Sequence, residues 1–149
     1  MPSYEIAEID GVLSRYRSVA VVGASNDPER ASYLVAHFLK GHGYRVIPVN
    51  PNARDVMGAT CYPDLVSIPE QVQVVNIFRR PQDVPAIVEQ AIAKRAKVIW
   101  MQLGIVNEEA AARAREAGLT VVMDRCMKRE LKRYLGLAQR LKLAGPLSA

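Results

Sequence analysis

The residues of this chain best suited to chemistry form a run of small side chains followed by polar ones, Val22-Gly23-Ala24-Ser25-Asn26-Asp27-Pro28-Glu29-Arg30-Ala31-Ser32. Small residues in succession let the backbone approach a bulky ligand. A helix opening directly after such a turn offers unpaired N–H groups and the positive end of its dipole to an anion. The chemistry expected here is the holding of a phosphate or pyrophosphate by Gly23, Ala24 and Ser25, with Arg30 in the same loop. Asp27-Pro28 also reads as an ordinary helix start. That reading covers two positions and leaves the three small residues unexplained. Only the first glycine of the G-x-G-x-x-G fingerprint is present, so the turn alone does not select a cofactor.

Further candidate contacts fall in other short segments. An NAD-binding unit places an acid near the end of its second strand to accept from the ribose hydroxyls. The corresponding stretch is Val49-Asn50-Pro51-Asn52, with Arg54 just beyond and no carboxylate before Asp55. Arg54 suits a phosphate on the adenosine ribose, as in NADP or coenzyme A; a plain Asn-Pro turn is the alternative. Phe78-Arg79-Arg80-Pro81 supplies an aromatic and two guanidinium groups, which pair with phosphate through planar bidentate bonds or stand solvated on the surface. Met101-Gln102-Leu103-Gly104 would extend the same wall. Asp124-Arg125-Cys126 ends in a thiol, open to redox or acyl-accepting chemistry helped by Arg125, or to burial as a small core residue. Burial is the expectation for Cys126, and a structural role for His37, which sits beside Phe38 in an apolar stripe.

These segments need strands and helices to position them. Helical spacing at Ile6, Ile9 and Leu13 predicts a helix over 3–17. Val19-Ala20-Val21-Val22 is continuously apolar, as a strand covered on both faces must be. Leu34, Val35, Phe38 and Leu39 mark the next helix, ending at Gly41 or Gly43, before a strand at Val46-Ile47-Pro48-Val49. The proline there removes a ladder donor and predicts a peripheral strand. Strands over 72–78, 98–101 and 119–123 alternate with helices after Pro81, over 108–117 and over 128–143. Such alternation implies a parallel sheet with right-handed crossovers. The fold class is α/β, a Rossmann-like three-layer fold with a five-stranded, mainly parallel sheet. One domain spans 1–149, with its core over 17–134, an N-terminal helix over 1–16 and a basic tail over 135–149. Ligands of such sheets sit beyond the carboxyl ends of the strands, where strand order reverses.

Composition narrows the function further. Half of the 149 residues are hydrophobic and 23% are charged, the balance of a globular protein. No apolar run approaches a membrane span, and Met1-Pro2-Ser3-Tyr4-Glu5 lacks the features of a signal peptide, so a cytoplasmic setting is expected. Two separated cysteines and two histidines leave few parts for nucleophilic or metal catalysis, and no catalytic or metal-binding residue is assigned. Seven of the 20 basic residues but one of the 15 acidic ones lie from Arg125 onward, giving that segment +6 and the remainder −1. Lys128 with Lys132 and Arg129 with Arg133 fall at helical spacing, compatible with a nucleic-acid contact or a solvated face; the latter is expected.

Taken together, Val-Val-Gly-Ala-Ser (21–25), Gly-Tyr-Arg-Val-Ile-Pro-Val-Asn-Pro (43–51), Phe-Arg-Arg-Pro (78–81), Trp-Met-Gln-Leu-Gly-Ile (100–105) and Val-Val-Met-Asp-Arg-Cys (121–126) give the chain a likeness. It resembles the CoA-binding domain family, specifically its short stand-alone members. More distantly it is similar to the N-terminal CoA-binding domain of the succinyl-CoA synthetase alpha subunit. The likeness runs from about Ser18 to Tyr134. It implies coenzyme A as the cofactor, with Gly23, Ala24 and Ser25 at the pyrophosphate and Asn50 and Pro51 at the adenosine end. Phe78, Arg79 and Gln102 would line the rest of the groove. It also implies a non-catalytic coenzyme A or acyl-CoA binding protein, since the stand-alone members have no established activity of their own. The alternative is an NAD(P)-binding enzyme or redox sensor, with NADP as the second cofactor. Relatives often follow Asp-Arg-Cys with a Glu-His pair; this chain has Glu130-Leu131, so no role of that histidine carries over.

Overall fold

Apolar strands without alternation require cover on both faces, and the computed structural model of the protein, which describes residues 3–143, supplies it. Five strands form one sheet: β1 (Ser18–Val22), β2 (Arg45–Val49), β5 (Val74–Ile77), β6 (Val98–Met101) and β7 (Thr120–Met123). Their order is β2-β1-β5-β6-β7, and every neighbouring pair is parallel. The sheet is thus wholly rather than mainly parallel. An antiparallel ribbon, β3 (Asp55–Val56) with β4 (Ala59–Thr60), stands apart from it and has no counterpart in the sequence reading. Its turn is made at Met57 and Gly58, both at positive φ. Two residues per strand are too few to register as periodicity.

The helices are α1 (Ser3–Arg15), α2 (Ala31–Gly41), α3 (Val84–Ala93), α4 (Glu108–Glu116) and α5 (Met127–Leu143). Alternate strand residues divide the core. Val19, Val21, Val74, Val98, Trp100 and Val122 pack with α1, α2 and α5, while Val22, Val75, Ile77, Ile99 and Met101 pack with α3 and α4. The first nine residues of the expected tail continue α5; the rest, from 144 onward, lies outside the described residues.

Pro48 is accommodated at the sheet's edge, as its chemistry requires. Its carbonyl accepts from Tyr62 N–H at 3.0 Å on the outer side of β2. The nitrogen of an extended residue points the same way as its oxygen, so the missing donor lies outside the ladder. Asn107 caps α4 by accepting from Ala110 N–H at 3.0 Å, and acids in the first turn with bases in the last complement the dipole. Gly43, at φ +86°, turns the chain out of α2 toward β2.

The N-terminal helix belongs to the core. Ile9, Val12 and Leu13 are buried, and Arg133 of α5 pairs with Asp10 of α1 at 2.6 Å. Tyr44 Oη donates to Leu13 carbonyl at 2.7 Å, joining the end of α1 to the start of β2. Burial raises the Tyr44 hydroxyl above its ordinary value, against an opposing effect of Arg17. Leu13 carbonyl also accepts from Arg17, so Tyr44→Phe leaves it partnered and is expected to cost about 1 kcal/mol in urea unfolding at neutral pH. A raised phenol contributes stability below the ordinary value near 10, lost as pH rises through the folded value. The stability gap between wild type and Tyr44→Phe is therefore expected to hold through neutral pH and to narrow as pH rises through and above the ordinary phenol value near 10.

Candidate functional site

The chain leaves β1 in one direction to build β2 and then returns across the sheet to build β5 on β1's other side, so strand order reverses between β1 and β5. The carboxyl ends of these two strands meet at Gly23 and Phe78. Phe78 N–H donates to Val22 carbonyl at 2.8 Å, and a Cβ placed on Gly23 would lie 2.5 Å from the Phe78 carbonyl oxygen. Gly23 also has φ +91°. Two independent constraints, close approach and backbone conformation, therefore require glycine here.

The turn does not present all of its donors outward. Gly23 and Ala24 N–H both donate to Val49 carbonyl, at 2.9 and 3.2 Å. Ser25 Oγ accepts from Asp27 N–H, and Asp27 Oδ1 accepts from Glu29 N–H, which winds the loop down to α2. Arg30 occupies the N-cap of α2 without a side-chain cap bond, unlike Asn107 at α4. The opening N–H groups of α2 thus have no side-chain acceptor at Arg30, beside Ala31 and Ser32, the last two residues of the run quoted above, which the sequence reading did not assign as contacts.

Three hollows adjoin along this edge of the sheet. A central one of about 440 Å³ is lined by Gly23, Ala24, Ser25, Arg30, Ala31, Ser32, Asn50, Phe78, Arg79 and Ile105. A second of about 270 Å³, on the α3 side, shares Gly23 and Arg79 with the first and includes Pro51, Asp64, Leu65 and Asp83. A third of about 460 Å³, on the α5 side, shares Ala31, Phe78 and Ile105 with the first. It adds Leu34, Gln102, Leu103, Cys126, Lys128, Arg129 and Lys132. Together they make one groove across the strand ends.

Most of the residues singled out in the sequence lie on this groove, in differing roles. Asn50 is engaged inside the protein: Nδ2 donates to Ala24 carbonyl and Oδ1 accepts from Asn52 N–H, each at 2.8 Å. It shapes the turn more than it offers contacts. Arg79 reaches the groove, with Nη2 3.4 Å from Asp83 Oδ2. Arg80 is 70% exposed, bonds the same carboxylate at 3.2 Å and lines none of the three hollows. Its hydrogen bond holds the Asp83 carboxyl below its ordinary value. The two arginines that look equivalent in sequence are therefore distinct. Met101 is fully buried and packs toward α3 and α4, so its side chain is no part of the wall. Gln102 is buried yet lines the α5-side hollow, its Oε1 accepting from Met127 N–H at 3.2 Å. Arg54 is exposed and lines none of the hollows.

Cys126 is half-buried on the groove wall rather than enclosed, against the expectation of a core residue. His37 is exposed on α2, stacked with Tyr33. The basic segment is partly paired: Arg125 lies 3.8 Å from Glu5, and Arg133 contacts both Asp10 and Glu130. Lys128 stands over the Phe38 ring, and Lys128, Arg129 and Lys132 border the groove. Charge spacing pointed to a basic helix face but not to where that face would be aimed. Among the described residues no helix is long and apolar enough to cross a membrane.

Residues 17–132 match the family described as CoA binding domain. A Bacillus subtilis protein, uncharacterized protein YneT, is 40% identical over 122 residues, covering 82% of this chain and 90% of that one. The ADP-forming acetate–CoA ligase II of Archaeoglobus fulgidus is 32% identical over 83 residues, 54% of this chain but 12% of the ligase. Among solved structures, a hypothetical protein from Pyrococcus horikoshii OT3 superposes with a TM-score of 0.85 at 46% identity, covering 87% of this chain and 92% of that one. By the extent of the family match and the YneT identity alike, this chain belongs to the CoA-binding domain family.

Proposed function

We propose that the protein binds coenzyme A or an acyl-CoA without catalysing a reaction on it, the phosphates lying at the N-terminus of α2. The observation that carries this reading is the uncapped start of α2 at the strand-order reversal, flanked by Arg30 and Arg79. Uncapped N–H groups, a helix dipole and guanidinium groups are the donors a pyrophosphate needs. Coenzyme A is longer than its phosphates, and the groove extends on both sides of them. Pro51 marks the α3-side hollow for the adenosine end, while Phe78, Leu103, Ile105 and Gln102 offer apolar surface and an amide to the pantetheine arm.

The non-catalytic part of the reading has its own support. The titratable side chains on the central and α5-side hollows are arginines, lysines and one thiol; the groove's carboxylates, Asp64 and Asp83, line the α3-side hollow, where Asp83 is paired with Arg79 and Arg80. His42 Nδ1 is engaged at 2.9 Å with Phe38 carbonyl on α2. A cytoplasmic setting belongs to the same reading.

Calorimetric titration with coenzyme A, beside NAD and NADP, tests the proposal. Saturable heat with coenzyme A is expected; saturation with NADP and none with coenzyme A would overturn it. Arg79→Ala removes a charge-assisted contact and is expected to raise the coenzyme A dissociation constant about 10-fold. Gly23→Ala places a Cβ against the Phe78 carbonyl at a positive φ. It is expected to destabilise the protein by about 1–3 kcal/mol in urea unfolding and to weaken coenzyme A binding in the same sample.

A further inference from the structure

Resting on the coenzyme A reading above, we propose that Cys126 is a thiol–disulfide exchange site for coenzyme A disulfide, on which the protein carries one coenzyme A half as a mixed disulfide. Cys126 lines the α5-side hollow, which adjoins the phosphate-side hollow and shares Ala31, Phe78 and Ile105 with it. A second residue on that wall points independently to a ligand. Gln102 is 4% exposed, its oxygen is taken by Met127 N–H, and its Nε2 donates to no other described residue. An amide donor on a hollow that is walled in part by Leu34, Phe78, Leu103 and Ile105 matches an arm that is part hydrocarbon and part amide carbonyl.

The span also agrees. Sheet order places β1, where the phosphates would lie, three strands from β7, whose end carries Cys126. Three strand spacings amount to roughly 14 Å. An extended pantetheine arm, from the nearer phosphorus to the sulfur, measures on the order of 15 Å from ordinary bond lengths. An arm of that length running along the carboxyl edge of the sheet from β1 would reach the end of β7, three residues before Cys126, and Ala31 at the start of α2 lines the same hollow as Cys126. Cys126 carbonyl accepts from Glu130 N–H at 3.0 Å, so the residue sits immediately before the first turn of α5. Cys61 lines none of these hollows. It is buried, its Sγ lies 3.7 Å from Asn50 carbonyl, and burial pushes its thiol up.

In the exchange, Cys126 loses its proton and its sulfur attacks one sulfur of coenzyme A disulfide. The Sγ–S bond forms as the S–S bond breaks, and the other coenzyme A half leaves as a thiolate that takes up a proton. Cys126 is oxidised as that half is reduced, and the disulfide is the only oxidant required.

The test is intact-mass and peptide analysis of the full chain after incubation with coenzyme A disulfide, run beside glutathione disulfide at equal concentration. One coenzyme A adduct is expected, on Cys126, forming about 10-fold faster or more than the glutathione adduct because binding positions the reacting sulfur. Cys126→Ser should abolish it, Cys61→Ala should retain it, and Arg79→Ala should slow it in step with its weakened affinity. Equal rates with the two disulfides, an adduct on Cys61 instead, or no adduct on protein that binds coenzyme A by calorimetry would overturn the inference and leave the coenzyme A reading standing. Protein that gives neither adduct nor heat of binding would sink both.

Discussion

The contact between Gly23 and the Phe78 carbonyl is the constraint on which the site depends. Parallel strands β1 and β5 must converge at the reversal of strand order, and their exits are held by a backbone bond from Phe78 to Val22. No side chain fits between the two exits at position 23. With β1 and β5 held this close, the loop after β1 must rise steeply, and Val49 carbonyl secures it by accepting from both Gly23 and Ala24. Asn50 adds a side-chain bond to Ala24 carbonyl. Three strand ends are thereby locked into one rigid corner. Rigidity there favours ligand binding, because donors already in position need not be ordered at the moment of association.

This corner changes what the small residues are for. In a turn of this kind, glycine is easily taken to be the residue whose N–H meets phosphate. Here the N–H groups of Gly23 and Ala24 are engaged within the protein, and their smallness serves strand convergence. The uncapped donors begin later, at the start of α2, where Arg30 provides no side-chain cap. An uncapped helix start carries a cost that capping residues normally remove. At α4 Asn107 supplies such a cap, whereas α2 and α3 both start without one.

The opposite end of the groove is organised around the start of α5. Met127 N–H is taken by Gln102 Oε1, and Asn76 Nδ2, from the middle strand of the sheet, approaches Met127 Sδ at 3.2 Å. Asn76 Oδ1 is buried with no partner among the described residues. These contacts fix where α5 begins, and with it the place of Cys126 and the direction of the basic residues that follow. The paired arginines, Arg125 with Glu5 and Arg133 with Asp10, also hold α5 against α1. Part of the basic segment therefore joins elements, while Lys128, Arg129 and Lys132 border the groove.

The amino-acid sequence by itself determined the alternation of strands and helices, the edge position of the strand containing Pro48, and the loops that meet beyond the strand ends. These follow from local properties: apolar run length, helical spacing, and the missing donor of proline. It also carried the family motifs, which lie at those same loops. The two-residue strands of the ribbon were illegible because they are shorter than any period. Which members of each loop face the groove was decided by the tertiary structure alone. Arg79 and Arg80 are adjacent and chemically identical, yet one reaches the groove and the other stands outside it. Met101 and Gln102 point to opposite sides because side chains alternate along and just beyond a strand. Cys126 is half-open because α5 begins immediately after it. Side-chain direction depends on packing between elements distant in sequence, and composition and spacing do not encode it.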